Sequence, residues 1–213
     1  ATNTKWRQPL SVWKGYFIDW IENPKAEALL NSNIFFDLDG VCGELSFAEA
    51  LKELIATRAQ DSQRFLALLA RNALNRTPPL GFFRQFVLEE GGQQRNTFNL
   101  KRRGTAPLSD LIRVHALACG SQRQNSFGRL TDIGKTKLLP DDGVDNLRDA
   151  MEFIAIVRIR HQALAMENGR EPDNNVRPED LSPFERSHLK EAFQIVSQAQ
   201  KFVRYRYNAH VPK

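Results

Sequence analysis

The stretch Gly143–Glu167, GVDNLRDAMEFIAIVRIRHQALAME, decides the fold class of the chain. Its apolar residues recur at helical spacing, and the run stops at Asn168-Gly169, a pair typical of a helix end. A step of about 100° per residue puts six side chains on one stripe. They are Leu147, Met151, Ile154, Arg158, His161 and Ala165. The pattern predicts a long bundle helix with two basic side chains on its apolar face.

Further helices are predicted on both sides of this stretch. Helical periodicity marks residues 9–22, 106–119, 126–138 and 183–207, and two more helices are expected to begin at capping residues Ser46 and Asp61. Ser182 with Glu185 three residues later is the pattern of a capping box. Apolar runs at 86–88 and 97–100, on either side of Glu-Glu-Gly91-Gly92, predict a hairpin or two extended arms. The predicted fold is mainly α, a bundle of four to five helices with a short β-hairpin.

A short β-prone run, Asn33–Asp39, ends at Gly40. It predicts a single strand whose sheet partners lie elsewhere. Because the chain starts without Met, we expect it to be cut from a longer protein. The predicted architecture is then a helix bundle beside a fragment of an α/β domain.

Composition limits the class of protein. Apolar residues make up 41% of the chain, and no window approaches the roughly 20 apolar residues that span a bilayer. The two cysteines have no metal-binding spacing, which favours a reducing cytoplasm and no structural metal. The net charge of +5 comes from dispersed basic residues, so a mixed-charge surface is favoured over nucleic-acid binding.

Arg158 is the residue of the apolar stripe that most needs explanation. A buried arginine costs several kcal/mol unless it is paired, so either an internal carboxylate or an anionic ligand must face it. Asp110 is one candidate carboxylate, although it could instead pair with Arg113 at i,i+3. His161 is more typical of a hydrogen-bonded core residue, and only the nearness of Arg158 and Gln162 indicates a site.

The segment Asn99-Leu-Lys101-Arg-Arg-Gly104 leads into the helix at 106–119. Cations and backbone amides at a helix start suit a phosphate group, and a plain basic turn is the alternative.

Asp37-Leu-Asp39-Gly40 resembles the nucleophile motif of haloacid-dehalogenase-type phosphatases. That fold needs further buried parallel strands, whereas the chain after Gly40 is mostly helical. The phosphatase interpretation is therefore disfavoured.

Taken together, the segments resemble a family of bacterial nucleotidyltransferases that carry cyclic-nucleotide-binding or CBS sensor domains upstream. The resemblance covers nearly the whole chain and depends on the order of several short motifs. Among them are Trp6–Trp13, Ser32–Asp37, Pro78–Arg84, Asn99–Lys101, Pro107–Arg113, Arg158–Gln162, Gly169, Pro172–Asn174 and Leu181–Lys190.

The resemblance implies that residues 1–60 are the C-terminal remnant of a polymerase-β-type catalytic domain and that residues 61–213 form the helical substrate-binding domain. Asp37 would be its third catalytic carboxylate, and Asp37 and Asp39 would bind Mg²⁺ together with acids upstream. The helical part would bind substrate, with Lys101, Asp110, Arg113, Arg158, His161 and Gln162 at its cleft. The intact enzyme would use a nucleoside triphosphate and an acceptor such as a regulatory protein, and this chain alone would be inactive.

A second hypothesis comes from the class of binding modules. Here the bundle is a signal-relay or dimerisation domain without a small-molecule site, and it forms a homodimer.

Overall fold

The computed structural model of the chain describes residues 3–209, without the side chains of residues 26 and 93. These residues form eight α-helices and one antiparallel pair of two-residue strands, so the mainly α fold is confirmed. The helices are α1 (Leu10–Glu22), α2 (Ala26–Phe35), α3 (Ser46–Asp61), α4 (Gln63–Ala73), α5 (Ala106–Ala118), α6 (Ser126–Ile133), α7 (Gly143–Glu167) and α8 (Pro183–Arg206). The strands are β1 (Phe98–Asn99) and β2 (Asn175–Val176), and a π-helix, Lys101–Thr105, precedes α5. Within this part of the chain, no helix has the length and apolar character needed to cross a bilayer.

The described residues divide into two compact units. Unit 1 consists of residues 3–72, 112–139 and 206–209, and unit 2 of residues 73–111 and 140–205. The division is discontinuous in sequence and falls within α5. The domain boundary expected at residue 60 concerns the family's domains, and it stays a prediction.

The core of unit 1 is rich in aromatic side chains. Helix α1 packs against α2 and α3, and it buries Phe17, Trp20 and Ile21. The ring of Phe36 lies 5.6 Å from that of Phe17 and 5.7 Å from that of Phe65 on α4. These contacts join the first four helices of the chain.

The strand predicted at Asn33–Asp39 is wrong. Its first three residues end α2, and Phe36 and Asp37 form the turn that follows. Phe35 stacks on Trp20 with centroids 5.6 Å apart and lies 4.5 Å from Trp6. A short apolar run fits a buried helix as well as a strand, and here aromatic packing decides. The expected α/β remnant is therefore helical and has no strand within residues 3–60.

The predicted hairpin is also wrong as a pair of strands. Phe98 and Asn99 pair with Val176 and Asn175, and not with residues 86–88. The backbone hydrogen bonds between the two sides lie at Glu89, whose N–H donates to the Thr97 carbonyl at 2.8 Å and whose carbonyl accepts from Asn96 N–H at 3.0 Å. Farther from the turn, the two expected arms meet through their side chains, since the ring of Phe86 stacks on that of Phe98. Residue 86 instead forms an isolated bridge with Leu80.

Of the helix caps predicted from the sequence, the structure confirms one and contradicts two. The box at the start of α8 is confirmed, because Glu185 N–H donates to Ser182 Oγ at 3.2 Å and Ser182 N–H donates to Glu185 Oε2 at 2.8 Å. The cap expected from Ser46 is wrong, since its hydroxyl binds Glu44 within the preceding loop. At α4 the capping hydroxyl belongs to Ser62, while Asp61 is the last residue of α3.

The core of unit 2 leaves no room at Gly104. A Cβ there would lie 2.9 Å from Cγ2 of Ile154 on α7 and 3.4 Å from Cε1 of Phe193 on α8. The ring of Phe193 also meets that of Phe98 at 6.0 Å. The π-helix is therefore packed directly against α7 and α8.

Candidate functional site

Arg158 lies on α7 in unit 2 and is half-buried. Its Nη1 donates to the Thr105 hydroxyl at 3.1 Å, and its buried Nε has no hydrogen-bond partner among residues 3–209. No described carboxylate lies within 4 Å of its guanidinium. Asp110, the candidate carboxylate, is 3.7 Å from Arg76 instead. The described residues therefore do not supply the internal carboxylate for Arg158, and the anionic ligand stays a prediction.

The π-helix Lys101–Thr105 supports this arginine. Thr105, which accepts from Arg158, donates to the Lys101 carbonyl at 3.5 Å. The Lys101 side chain is exposed on the same short element. π-Helical turns are rare and are frequent at functional sites. Hydrogen bonds through Thr105 therefore connect Arg158 to the backbone of Lys101, and the side chain of Lys101 stays exposed.

His161 and Gln162 hold the loop before β2. His161 Nε2 lies 3.1 Å from Asp173 Oδ1, and Gln162 Nε2 donates to Asn174 Oδ1 at 3.3 Å. Although burial raises the pKa of Asp173, hydrogen bonds from Asn175 and His161 hold that pKa below its usual value. The Asn174 carbonyl in turn accepts from Leu100 N–H at 2.8 Å. These contacts fix the loop beside the segment that leads into the π-helix.

The six residues predicted to line one cleft fall into both units. Lys101, Asp110, Arg158, His161 and Gln162 belong to unit 2, whereas Arg113 belongs to unit 1. Within unit 2, hydrogen bonds link Arg158 to the π-helix and link His161 and Gln162 to the loop before β2. Their role in binding substrate stays a prediction.

Arg113 belongs to a charge cluster in unit 1. Its Nη2 donates to Asp37 Oδ2 at 2.6 Å, and Arg129 Nη2 binds the other oxygen, Oδ1. The arginine side chains are 9% and 5% exposed, and that of Asp37 is 35% exposed. Burial raises the pKa of Asp37, but the hydrogen bonds and charges of the two arginines hold the pKa below its usual value. Asp37 is therefore an ionised counter-charge for two buried cations.

Sequence reasoning missed Arg129. The sequence does contain a signal for a buried arginine here. Arg129 lies one helical turn before Ile133, and residues at i and i+4 share a helix face. Ile133 is fully buried, so its face points to the core.

The described residues do not by themselves fit a magnesium ion. Both oxygens of Asp37 bind guanidinium groups, and Asp39 is 59% exposed and pairs with Lys52 at 3.0 Å. No group of three or more His, Cys, Asp or Glu side chains that could hold a metal occurs among residues 3–209. The catalytic and metal roles that the resemblance implies for Asp37 and Asp39 stay predictions, and the strand expected to carry Asp37 does not form within residues 3–60.

Comparison with known proteins identifies a family. The model of the family described as "Putative nucleotidyltransferase substrate binding domain" matches residues 63–207. No curated protein and no solved structure shows significant similarity to the chain. The match spans α4 to α8 and includes the π-helix, Arg158 and the loop before β2. Because it covers more than half of the 213 residues, the chain belongs to this family of nucleotidyltransferase substrate-binding domains.

Proposed function

We propose that unit 2 binds a phosphate-bearing substrate of nucleotidyl transfer and that Arg158 contacts its phosphate group. The observation that carries this proposal is the half-buried guanidinium of Arg158 with no carboxylate within ion-pairing distance in the described chain. The family match supports the broader function, substrate binding by a nucleotidyltransferase.

The chemistry of Arg158 favours phosphate over a neutral ligand. The buried Nε of this half-buried guanidinium has no acceptor, which costs about 1–3 kcal/mol, and a phosphate oxygen that accepts from Nε removes this penalty. Guanidinium presents a planar fork of donors that matches phosphate oxygens. Thr105 uses one donor of this fork, and Nε still needs an acceptor. Lys101, on the same π-helix as Thr105, would add a second positive charge.

The proposal extends to the intact protein in a limited way. The longer enzyme would transfer a nucleotidyl group from a nucleoside triphosphate to an acceptor, with magnesium held mainly by acids outside this chain. CBS or cyclic-nucleotide-binding domains in the same polypeptide would regulate it. This chain would contribute binding and orientation of a substrate, and no chemical step is assigned to its residues.

Isothermal titration calorimetry tests the role of Arg158. The chain is titrated with each of ATP, CTP, GTP and UTP, with and without Mg²⁺, and the preferred nucleotide is then titrated into three variants. Arg158→Ala should weaken binding by roughly 10- to 150-fold, which corresponds to the about 1.5–3 kcal/mol of a charge-assisted hydrogen bond. Arg158→Lys keeps the charge but lacks the fork and should give an intermediate affinity.

Arg204→Ala is the matched control, since it removes the same charge from an exposed position on α8 of unit 2. Its affinity should equal that of the wild type. The proposal is wrong if the wild type binds no nucleotide, or if the Arg158→Ala and Arg204→Ala variants have the same affinity.

A further inference from the structure

Residues 79–87 form a narrow loop, here called the tip loop, that presents two phenylalanines to solvent. Val87 N–H donates to the Pro79 carbonyl at 2.9 Å, and Gly81 N–H donates to the Gln85 carbonyl at the same distance. At its end, Phe82 is 92% exposed and Phe83 is 82% exposed. Two adjacent, nearly fully exposed phenyl groups are unusual on a protein surface and indicate a binding site.

Contacts at the base of the tip loop stabilise this conformation. The guanidinium of Arg103 donates to the carbonyls of Thr77 and Val87, both at 3.3 Å, and so bridges the two sides of the loop. Phe86 stacks on Phe98 with centroids 4.7 Å apart. Arg84 has a φ of +56°, in the left-handed region, which costs about 1–3 kcal/mol for a residue other than glycine. An ordered and strained frame therefore keeps the phenyl groups out of the core.

A groove on unit 2 has the complementary properties. It runs between α7 and α8, has a volume of about 410 Å³, and has apolar walls formed by Phe153, Ile156, Ala192 and Ile195. Ile156 is 61% exposed, and Phe184, whose ring is 6.4 Å from that of Phe153, is 64% exposed. The groove thus leaves apolar and aromatic surface in water, where phenyl rings can pack edge to face.

Charge also matches between the groove and the tip loop. The groove is lined by three acids, Asp149, Glu152 and Glu191, and by no lysine or arginine. Arg84 directly follows the two phenylalanines and is exposed. A tip that enters the groove would therefore bring a cation to an acidic lining while its rings cover the apolar walls.

We propose that the tip loop of one copy of this chain binds the α7–α8 groove of a second copy, and that the exchange is reciprocal. A twofold dimer uses the same two surfaces on both subunits, so both tips and both grooves are covered at once. Each buried Phe contributes about 150–250 Å², and four rings together with the groove walls reach the roughly 1,200–2,000 Å² of a stable interface.

The groove, and not the charge of the tip loop, favours a protein partner over a membrane. The charges around the loop are mixed, because Glu89 pairs with Arg102 while Arg84 and Glu90 are exposed. The groove offers apolar walls for the rings and acids for Arg84 on one surface. The dimer depends on neither Arg158 nor nucleotide, so it can fail while the proposed function holds, and the reverse is also true.

Sedimentation equilibrium of the whole chain tests the dimer. The tip variant carries Phe82→Ser and Phe83→Ser, and the groove variant carries Ile156→Glu. Each variant should raise the dimer dissociation constant by roughly thirtyfold or more, as expected for interface hot spots. All three positions are exposed, so folding should be retained and is checked by circular dichroism. Tyr205→Ser, which alters a 74% exposed ring on α8, should leave the constant unchanged.

Mixing the two variants gives the sharpest result. The tip variant still has its groove and the groove variant still has its tip, so the mixture should form a heterodimer through one contact, while each variant alone stays monomeric. A wild-type monomer, or a dimer that neither variant weakens, overturns the proposal. The proposal is also overturned if the wild type is a monomer that sediments with anionic vesicles and the tip variant does not, because the partner would then be a membrane.

Discussion

At the scale of single residues, the charges of unit 1 depend on Asp37. Two guanidinium groups, both at least nine-tenths buried, converge on its carboxylate, which is one-third exposed. The carboxylate of Asp37 keeps part of its hydration, whereas the two arginine side chains have lost nearly all of theirs. The two buried arginines therefore destabilise the fold unless the carboxylate of Asp37 compensates their charge.

Replacing Asp37 tests this arrangement. Asp37→Ala removes the carboxylate that binds both Arg113 and Arg129, and we expect the free energy of unfolding to fall by about 3–5 kcal/mol. Asp39→Ala is the matched control, because Asp39 is exposed and water screens its ion pair with Lys52, so the free energy of unfolding should fall much less. Urea denaturation of both variants measures the difference. Equal stabilities would show that the cluster contributes little.

His115 should make the stability of the protein depend on pH. It is fully buried, and its Nδ1 lies 2.9 Å from the Tyr207 hydroxyl. Burial, with the charge of Arg206, lowers the pKa of His115 from 6.5 to about 4. Protonation is thus easier in the unfolded chain. The contribution of His115 to stability is complete above pH 6.5 and is lost as the pH falls towards 4.

The size of this effect can be measured. Between pH 7 and pH 5, His115 should account for about 2 kcal/mol of the decrease in unfolding free energy. His115→Gln keeps hydrogen-bonding capacity but does not titrate, so its stability should decrease by that much less over the same interval. Urea denaturation at the two pH values provides the comparison. An identical decrease in both proteins would contradict the assignment.

At the scale of elements, the π-helix Lys101–Thr105 combines three contacts within five residues. Thr105 binds Arg158, Arg103 braces the tip loop, and Gly104 lies against α7 and α8. A side chain at residue 104 would push this element away from both helices. The geometry around Arg158 and the tip loop therefore depends on one glycine.

Two glycine substitutions should have opposite effects. Gly104→Ala adds a Cβ 2.9 Å from Ile154, and overpacking of this kind costs about 1–3 kcal/mol. Gly15→Ala, on α1, meets nothing within 4 Å and should stabilise the protein by up to about 1 kcal/mol through helix propensity. Thermal unfolding of both variants measures whether each substitution lowers or raises the stability of the protein. Stabilisation by Gly104→Ala would show that the packing there is loose.

Sequence patterns predicted some elements better than others, for physical reasons. The range Gly143–Glu167 and the capping box of α8 were correct, because long periodic runs and local capping contacts are encoded within a few turns. The segment at 33–39 was mistaken for a strand, since only the distant rings of Trp6 and Trp20 show that Phe35 belongs to a helix. β1 finds its partner about 76 residues later, which no local turn signal reveals.

At the scale of the whole molecule, the candidate site was only partly predictable. The apolar stripe identified Arg158 as a cation that needs an explanation, but the pattern on α5 could not show that Arg113 belongs to another compact unit. The change of unit falls between Leu111 and Ile112, inside one helix. Membership of a unit depends on contacts between remote segments, which periodicity does not contain.

The discontinuous composition of unit 1 has a consequence for protein synthesis. Tyr207 is buried in unit 1 and meets His115, which leaves the ribosome 92 residues earlier. Translation of that interval takes on the order of 5 to 20 seconds. During this time the nascent helix that carries Phe17 and Trp20 lacks the last buried residues of its unit. Chaperones that bind aromatic segments would have their opportunity in this interval.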